Sequence, residues 1–244
     1  MLNKPRSLFR RYIIKKHLNP GKNFLEIGPG DLKISQLFLT QFHKGTCIDI
    51  NQNVNALYNQ LPDKDKKKLK LIINDFVIHK FKQTYSCIIA CEVLEHVPSD
   101  KLFLKKIYSL LDKQGQAILS VPAKMNLWNT DDELAGHLRR YEKTQLKDLL
   151  SKIGFKKIKI FSYGFPFTCI IRIIRIYLAK IFLASVQSST QKEKTKLSGI
   201  DPKLNNLNFL NLILNQLTFL PLNIISSPFN QLDLSDGYIL FAEK

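Results

Sequence analysis

Short apolar runs alternate with amphipathic stretches from Asn23 to Tyr163. Runs of strand length predict strands at 23–27, 45–50, 69–73, 85–90, 116–122 and 156–163. Apolar positions at helical spacing between them predict helices at 32–41, 52–61, 99–111 and 144–153. The run Tyr85 to Ala90 is almost continuously apolar, the pattern of a strand covered on both faces. A last run, Gly237 to Ala242, closes the chain. Strands alternating with helices predict an α/β doubly wound sheet, mainly parallel. The lysine-rich stretch 62–70 and the stretch from Pro122 to about 143 read as loops.

Two regions depart from this alternation. Residues 1–20 form a basic helical lead, with Arg6, Arg10, Arg11, Lys15 and Lys16 interleaved with Leu8, Phe9, Tyr12, Ile13 and Ile14, and Pro20-Gly21 stops it. It serves either as a cap on a pocket or as a surface anchor. Between Gly164 and Asp236 the chain inserts far more than a hairpin needs. Thr168 to Val186 is apolar except for Arg172, Arg175 and Lys180, and 205–225 carries Asn208, Asn211 and Asn215 on one helical face. The charges argue against a membrane span and fit a helix lying at an interface or packed over a site. The polar link 187–204 reads as a mobile loop. The expected division is therefore 1–164 with 236–244 as one domain, and 165–235 as a helical insertion.

Composition narrows the class. The 244 residues suit one elaborated domain, with 45% hydrophobic and 23% charged positions. The net charge of +17 points to RNA, an anionic membrane surface or phosphorylated substrates, or else to a merely basic surface. Cys47, Cys87, Cys91 and Cys169 lack zinc-type spacing and read as small core side chains of a reducing, cytoplasmic compartment. The basic N-terminus lacks an apolar stretch of signal-peptide length, so no secretion is expected.

The chemistry centres on Asn23-Phe24-Leu25-Glu26-Ile27-Gly28-Pro29-Gly30-Asp31. A buried strand leads into an acid and a glycine turn, where a missing Cβ lets a ligand approach the backbone. Asp49 ends the next strand at the spacing that offers a carboxylate to ribose hydroxyls. This acid-x-Gly-x-Gly turn resembles the first motif of class I S-adenosylmethionine-dependent methyltransferases. Many members have a third glycine where this chain has Leu32. A pyrophosphate would meet a like charge at Asp31, whereas a cationic sulfonium is helped by nearby acids, which disfavours a dinucleotide cofactor.

The resemblance implies a seven-stranded Rossmann-like sheet with an antiparallel last strand and S-adenosyl-L-methionine as cofactor. Glu26 would order the turn, Gly28 and Gly30 would border the methionine part, and Asp49 would accept both ribose hydroxyls. Asp75 would face the adenine amino group, Phe76 would flank the ring, and Glu92 would lie nearest the methionine moiety. Glu92-Val93-Leu94-Glu95-His96 resembles the Glu-x-x-Glu-His segment of the small-molecule branch. His96 is a candidate base. Glu95 either orients it or joins the acids around a divalent ion, and no metal site is assigned.

Ser120-Val121-Pro122-Ala123, Trp128, Asp131-Asp132 and Gly136-His137-Leu138-Arg139-Arg140-Tyr141 resemble a bacterial branch associated with cell-surface saccharide or lipid-linked metabolism. His137 is a second candidate base. Trp128, Arg139, Arg140 and Tyr141 are candidate substrate contacts, unless the arginine pairs with Asp131 or Asp132 and Tyr141 packs on the sheet. No Asn/Asp-Pro-Pro-aromatic run is present, and Cys91 is not followed by proline, which disfavours methylation of nucleic-acid bases. The expectation is O-methylation of a small or lipid-linked acceptor, saccharide or quinone-like, with peripheral contact to an anionic inner membrane face. An RNA methyltransferase and a non-catalytic partner protein of the same fold are the alternatives.

Overall fold

The sheet has the strand order β3-β2-β1-β4-β5-β7-β6. This computed structural model describes residues 5–183 and 215–244, with no side-chain description at Arg175 or 177–183. The strands are β1 (Gly21–Ile27), β2 (Phe42–Asp49), β3 (Leu69–Ile73), β4 (Tyr85–Cys91), β5 (Leu111–Pro122), β6 (Lys156–Ser162) and β7 (Gly237–Glu243). The first five run parallel, and β7 lies antiparallel between β5 and β6. The order in which strands are added to the sheet reverses between the parallel neighbours β1 and β4, which leaves a crevice beyond their carboxyl ends.

The helices are α1 (Pro5–His17), α2 (Lys33–Phe38), α3 (Val54–Asn59), α4 (Asp63–Lys66), α5 (Asp100–Leu110), α6 (Thr130–Ala135), α7 (Lys143–Ile153), α8 (Phe167–Leu183) and α9 (Leu220–Ser226). Two apolar layers cover the sheet. One gathers Leu104, Ile107, Leu146 and Leu150 over Leu25, Ile88 and Leu119. The other places Leu8, Phe9, Ile14, Phe38 and Phe42 over Phe24, Ile89 and Ile118. Alternate residues of β1 and β4 thus face opposite layers, which is why their sequences are apolar throughout.

Three details correct the sequence expectations. The stretch 62–70 contains the one-turn α4, which starts after Pro62 with Asp63 and Asp65 in its first turn. The supposed loop after Pro122 contains α6, opened by a capping box between Asn129 and Asp132. Within the described part of the helix expected over 205–225, only 220–225 is helical, in α9; 205–214, like the link 187–204, lie outside the described residues. Among the described residues no helix is long and apolar enough to cross a membrane.

The basic lead is a docked element. Leu8, Phe9, Ile13 and Ile14 of α1 are buried. Phe9 stacks on Phe167 and meets Phe219 edge-on, so both described ends of the insertion rest on α1. Its arginines turn towards the crevice.

Candidate functional site

Turn geometry places the acids. Gly28 and Gly30 have φ of +66° and +53°, the left-handed region that L side chains rarely adopt. A Cβ at Gly28 would come within 2.7 Å of Val93, while one at Gly30 would project into open space. Leu32 occupies the same left-handed region at φ 60° with its side chain buried. The strain costs about 1–2 kcal/mol, which burial of the leucine offsets.

Glu26 lies beneath the turn, 2% exposed, and accepts a hydrogen bond from the Ser35 hydroxyl. Burial pushes its carboxyl up to about 8, and the charges of Asp31 and Asp49 push in the same direction. The Asp49 carboxylate accepts the Asn51 amide at 2.8 Å, with the Gly30 and Ile50 amides also directed at it. Burial nevertheless raises it above the usual carboxylate range. Three acids surround an open glycine turn, of which Asp31 pairs with Lys33 at 3.7 Å while buried Glu26 has no cation beside it. That donor set fits a positively charged ligand bearing hydroxyls. Ile50, 51% exposed directly after Asp49, offers an apolar surface beside it that the sequence reading missed.

Asp75 and Phe76 follow β3, but only one faces outward. Asp75 is exposed and accepts the Val77 amide at 2.6 Å. Phe76 turns into the core, 4% exposed, with its ring 5.0 Å from Phe103 and edge-on to it. This placement departs from the expectation that it flanks a ligand ring.

Beyond β4, Glu92 adopts φ +57° and its amide bonds the Ser120 carbonyl. Its carboxylate accepts Ser120 Oγ and pairs with Arg10 at 2.9 Å. Burial opposes ionisation, yet Arg10 and Arg6 hold Glu92 well below the usual range. Arg6 pairs with buried Asp236 at 3.3 Å. The helical lead therefore closes one side of the crevice through ion pairs that its sequence did not specify.

The two histidines meet because two loops are zipped together. The Leu138 amide donates to the Glu95 carbonyl at 2.9 Å, and the Tyr141 hydroxyl donates to the Leu94 carbonyl at 3.2 Å. His96 and His137 consequently stand edge to face with ring centroids 4.9 Å apart. His96 Nδ1 is 3.1 Å from the Gly136 carbonyl oxygen, which can only accept, so the proton sits on Nδ1 and Nε2 keeps its lone pair. Burial and the neighbouring His137 push His96 down to about 4. His137 Nδ1 is 2.7 Å from Asp132 Oδ1, and its Nε2 is 3.8 Å from Glu95 Oε1. Burial, reinforced by the Glu92 charge, raises the Glu95 carboxyl well above its usual range.

The remaining candidates divide. Arg139 is partly exposed and donates to the Pro98 carbonyl, with Asp100 at 3.4 Å. Trp128 is partly exposed at the end of the short turn before α6. Arg140 and Tyr141 face inward, against the expectation that they grip a substrate. The Arg140 Nε lies 2.9 Å from both Asp132 oxygens and its Nη1 donates to the Ala123 carbonyl. Tyr141 is fully buried. Asp132 joins Arg140 to His137, the pairing that the sequence reading gave as the alternative to a substrate grip.

A family model described as a methyltransferase domain matches residues 4–160. No curated protein matches by sequence. Among solved structures, phosphoethanolamine N-methyltransferase 2 of Haemonchus contortus, in complex with S-adenosyl-L-methionine, is 15% identical with a TM-score of 0.59, covering 96% of this chain and 52% of its own. This chain thus spans about half the length of that enzyme. YcgJ of Bacillus subtilis is 12% identical with a TM-score of 0.59 and 99% coverage of both chains. The N-methyltransferase NodS of Bradyrhizobium japonicum, in complex with S-adenosyl-L-homocysteine, is 14% identical with a TM-score of 0.50, covering 64% of this chain and 75% of its own. These likenesses share the fold, and with the family match spanning residues 4–160, more than half of the chain, the chain belongs to the methyltransferase-domain family.

Proposed function

We propose that the protein methylates a hydroxyl of a small or lipid-linked acceptor, with S-adenosylmethionine as cofactor. The observation that carries this reading is the juxtaposition of an acid-ringed glycine turn with an imidazole pair across the β1–β4 crevice. When bound, the cofactor supplies an electrophilic methyl group on a positively charged sulfur. Asp49 accepts the ribose hydroxyls, and Glu26 with Asp31 favours the positive charge. Gly30 leaves the backbone open to contact. Asp75, exposed beyond β3, accepts from the adenine amino group, and Ile50 lies against the ring.

On the acceptor side, His96 stays neutral at physiological pH with a bare Nε2. It takes the hydroxyl proton as the oxygen lone pair forms the new bond to the methyl carbon and the broken carbon–sulfur pair returns to sulfur. Asp132 fixes the tautomer of His137, which lines the same pocket. Trp128 and Arg139 remain the accessible candidates for holding the acceptor. Positioning supplies much of the rate, because the methyl group is already activated.

A lipid-linked acceptor is favoured by the apolar surface flanking the crevice. Ile170, Ile173 and Ile174 of α8 and Ile224 and Ile225 of α9 are each more than half exposed, on a chain of net charge +17. Basic residues at such a face add attraction to an anionic leaflet. Incubation with radiolabelled methyl donor and extract of the source cells, followed by solvent partition, tests the acceptor. Label in the organic phase is expected. Label confined to the aqueous phase removes the lipid-linked acceptor and the membrane contact together, and RNase-sensitive label replaces the reading with RNA methylation.

The cofactor half has its own test. Asp49→Ala removes the acceptor-only group from the ribose position and is expected to weaken binding at least about tenfold, near 1.4 kcal/mol. Unchanged affinity on calorimetric titration refutes the ribose assignment.

A further inference from the structure

Glu95 is fully buried, and neither carboxyl oxygen has a hydrogen-bond partner. His137 Nε2 stands 3.8 Å from Oε1, beyond hydrogen-bond distance. Buried polar groups without partners are rare because each costs its full desolvation. Both imidazoles around it are set in the same manner. Each commits Nδ1 to an acceptor behind it, Gly136 for His96 at 3.1 Å and Asp132 for His137 at 2.7 Å. In a neutral ring so held, Nε2 is the nitrogen that carries the lone pair. One ligand atom from each of Glu95, His96 and His137 lies within 4.8 Å of the other two.

We propose that Glu95, His96 and His137 bind one divalent transition-metal ion. Two imidazoles and one carboxylate form a borderline-soft donor set that suits zinc, cobalt, manganese or ferrous iron and disfavours magnesium, which prefers oxygen. Three protein ligands leave coordination positions open for a substrate oxygen. The groups behind the ligands agree with this assignment. A metal-bound histidine ordinarily donates its other ring N–H to a carboxylate or a backbone carbonyl, and both arrangements occur here. Arg140 in turn fixes Asp132, so the carboxylate behind His137 is held rigid. The hydrogen bonds between 94–96 and 138–141 hold the ligand loops in register whether or not the ion is bound.

A structural role alone explains this arrangement less well. It would gather two half-buried imidazoles around a buried carboxyl without bringing any ring nitrogen within hydrogen-bond distance of it.

The inference rests on the reading of this crevice as the acceptor end of a methyltransferase, and it refines that reading. In the metal-loaded protein His96 and His137 are ligands, not free bases. An acceptor hydroxyl bound to the ion then loses its proton to solvent at lower pH than it would in water.

The test uses the full chain, stripped with chelator and titrated with Co2+, whose visible absorption reports tetrahedral or five-coordinate nitrogen and oxygen ligation. Elemental analysis after Zn2+ loading measures stoichiometry. One ion per chain is expected, displaced by Zn2+ and not by excess Mg2+. His96→Ala and His137→Ala are each expected to weaken Co2+ binding by more than about 100-fold, and Asp132→Asn by roughly 10–100-fold. Calorimetric titration with S-adenosylmethionine, on the same variants, shows that they remain folded. Wild-type protein that binds the cofactor but takes up no Co2+ or Zn2+ overturns the metal site. So does uptake that survives both histidine substitutions. Loss of cofactor binding by the wild type would instead overturn the methyltransferase reading, since the metal titration does not depend on it.

Discussion

Glutamine in place of Glu26 is expected to stabilise the ligand-free protein increasingly as the pH rises, and to weaken its hold on the cofactor. Burial raises the folded carboxyl to about 8 from an ordinary 4.5. Below the unfolded value both states carry the proton, and the group costs nothing. Between the two values the unfolded chain ionises while the folded chain does not, so stability falls by about 1.4 kcal/mol per pH unit. Above about 8 the folded group ionises as well and the loss levels off at roughly 5 kcal/mol. Glutamine does not titrate, and its carbonyl still accepts from Ser35. Its amide must find room among Cys47, Asp31 and Asp49, which takes back part of the gain. A net stabilisation of about 2–4 kcal/mol at pH 9 follows.

Ligand binding reverses the sign. The groups facing Glu26 are Ser35 of α2, Cys47 and Asp49 of β2, Asp31 in the turn and Cys91 at the end of β4. None of them is a cation. A positively charged cofactor therefore favours ionised Glu26 and releases its proton. Affinity of the wild type should rise towards pH 8 and then flatten, whereas that of Glu26→Gln should show no such rise. Thermal melts from pH 5 to 9, with and without S-adenosylmethionine, measure both effects. A stability difference independent of pH would show that the buried acid is already compensated.

The legible parts of the site are those set by local sequence. The glycine turn, Glu26 and Asp49 lie within single strand-turn-helix units, and apolar runs alone placed the strands that carry them. Phe76 was misread because nothing local says which way an aromatic after a strand turns. The surrounding Phe81 and Phe103, from elements later in the chain, draw it into the core. His96 and His137 were each legible as chemistry-bearing residues. Their meeting was not, since it depends on long-range bonds such as that from Leu138 to Glu95. Arg10 is a similar case, a residue of an amphipathic helix whose ionic partner, Glu92, is distant in sequence. Motif reading names the groups, and tertiary pairing decides which remain accessible.

Arg140 shows most directly how that pairing reassigns a residue. Arg140→Ala is expected to destabilise the protein by about 3–5 kcal/mol, the usual result of breaking a buried ion pair from one side. Both partners are almost fully enclosed, with the arginine side chain 2% exposed and that of Asp132 1%. Truncation leaves the Ala123 carbonyl without its donor and Asp132 with only His137 and the Asn129 amide. At about 2–4 °C per kcal/mol for a chain of this size, the melting temperature should fall by roughly 6–20 °C. Arg140→Lys keeps the charge but cannot reproduce both the shared Nε–H contact to the two Asp132 oxygens and the Nη1 bond to Ala123, so it should fall between the two. Affinity for S-adenosylmethionine, measured well below the transition, should be unchanged, because the acid-ringed turn lies on other strands. A substrate-gripping Arg140 would give the opposite pattern. Its alanine variant would melt as the wild type does and raise KM for the acceptor. The melting curve alone therefore decides whether the second arginine of the Arg139-Arg140 pair supports His137 or holds a ligand.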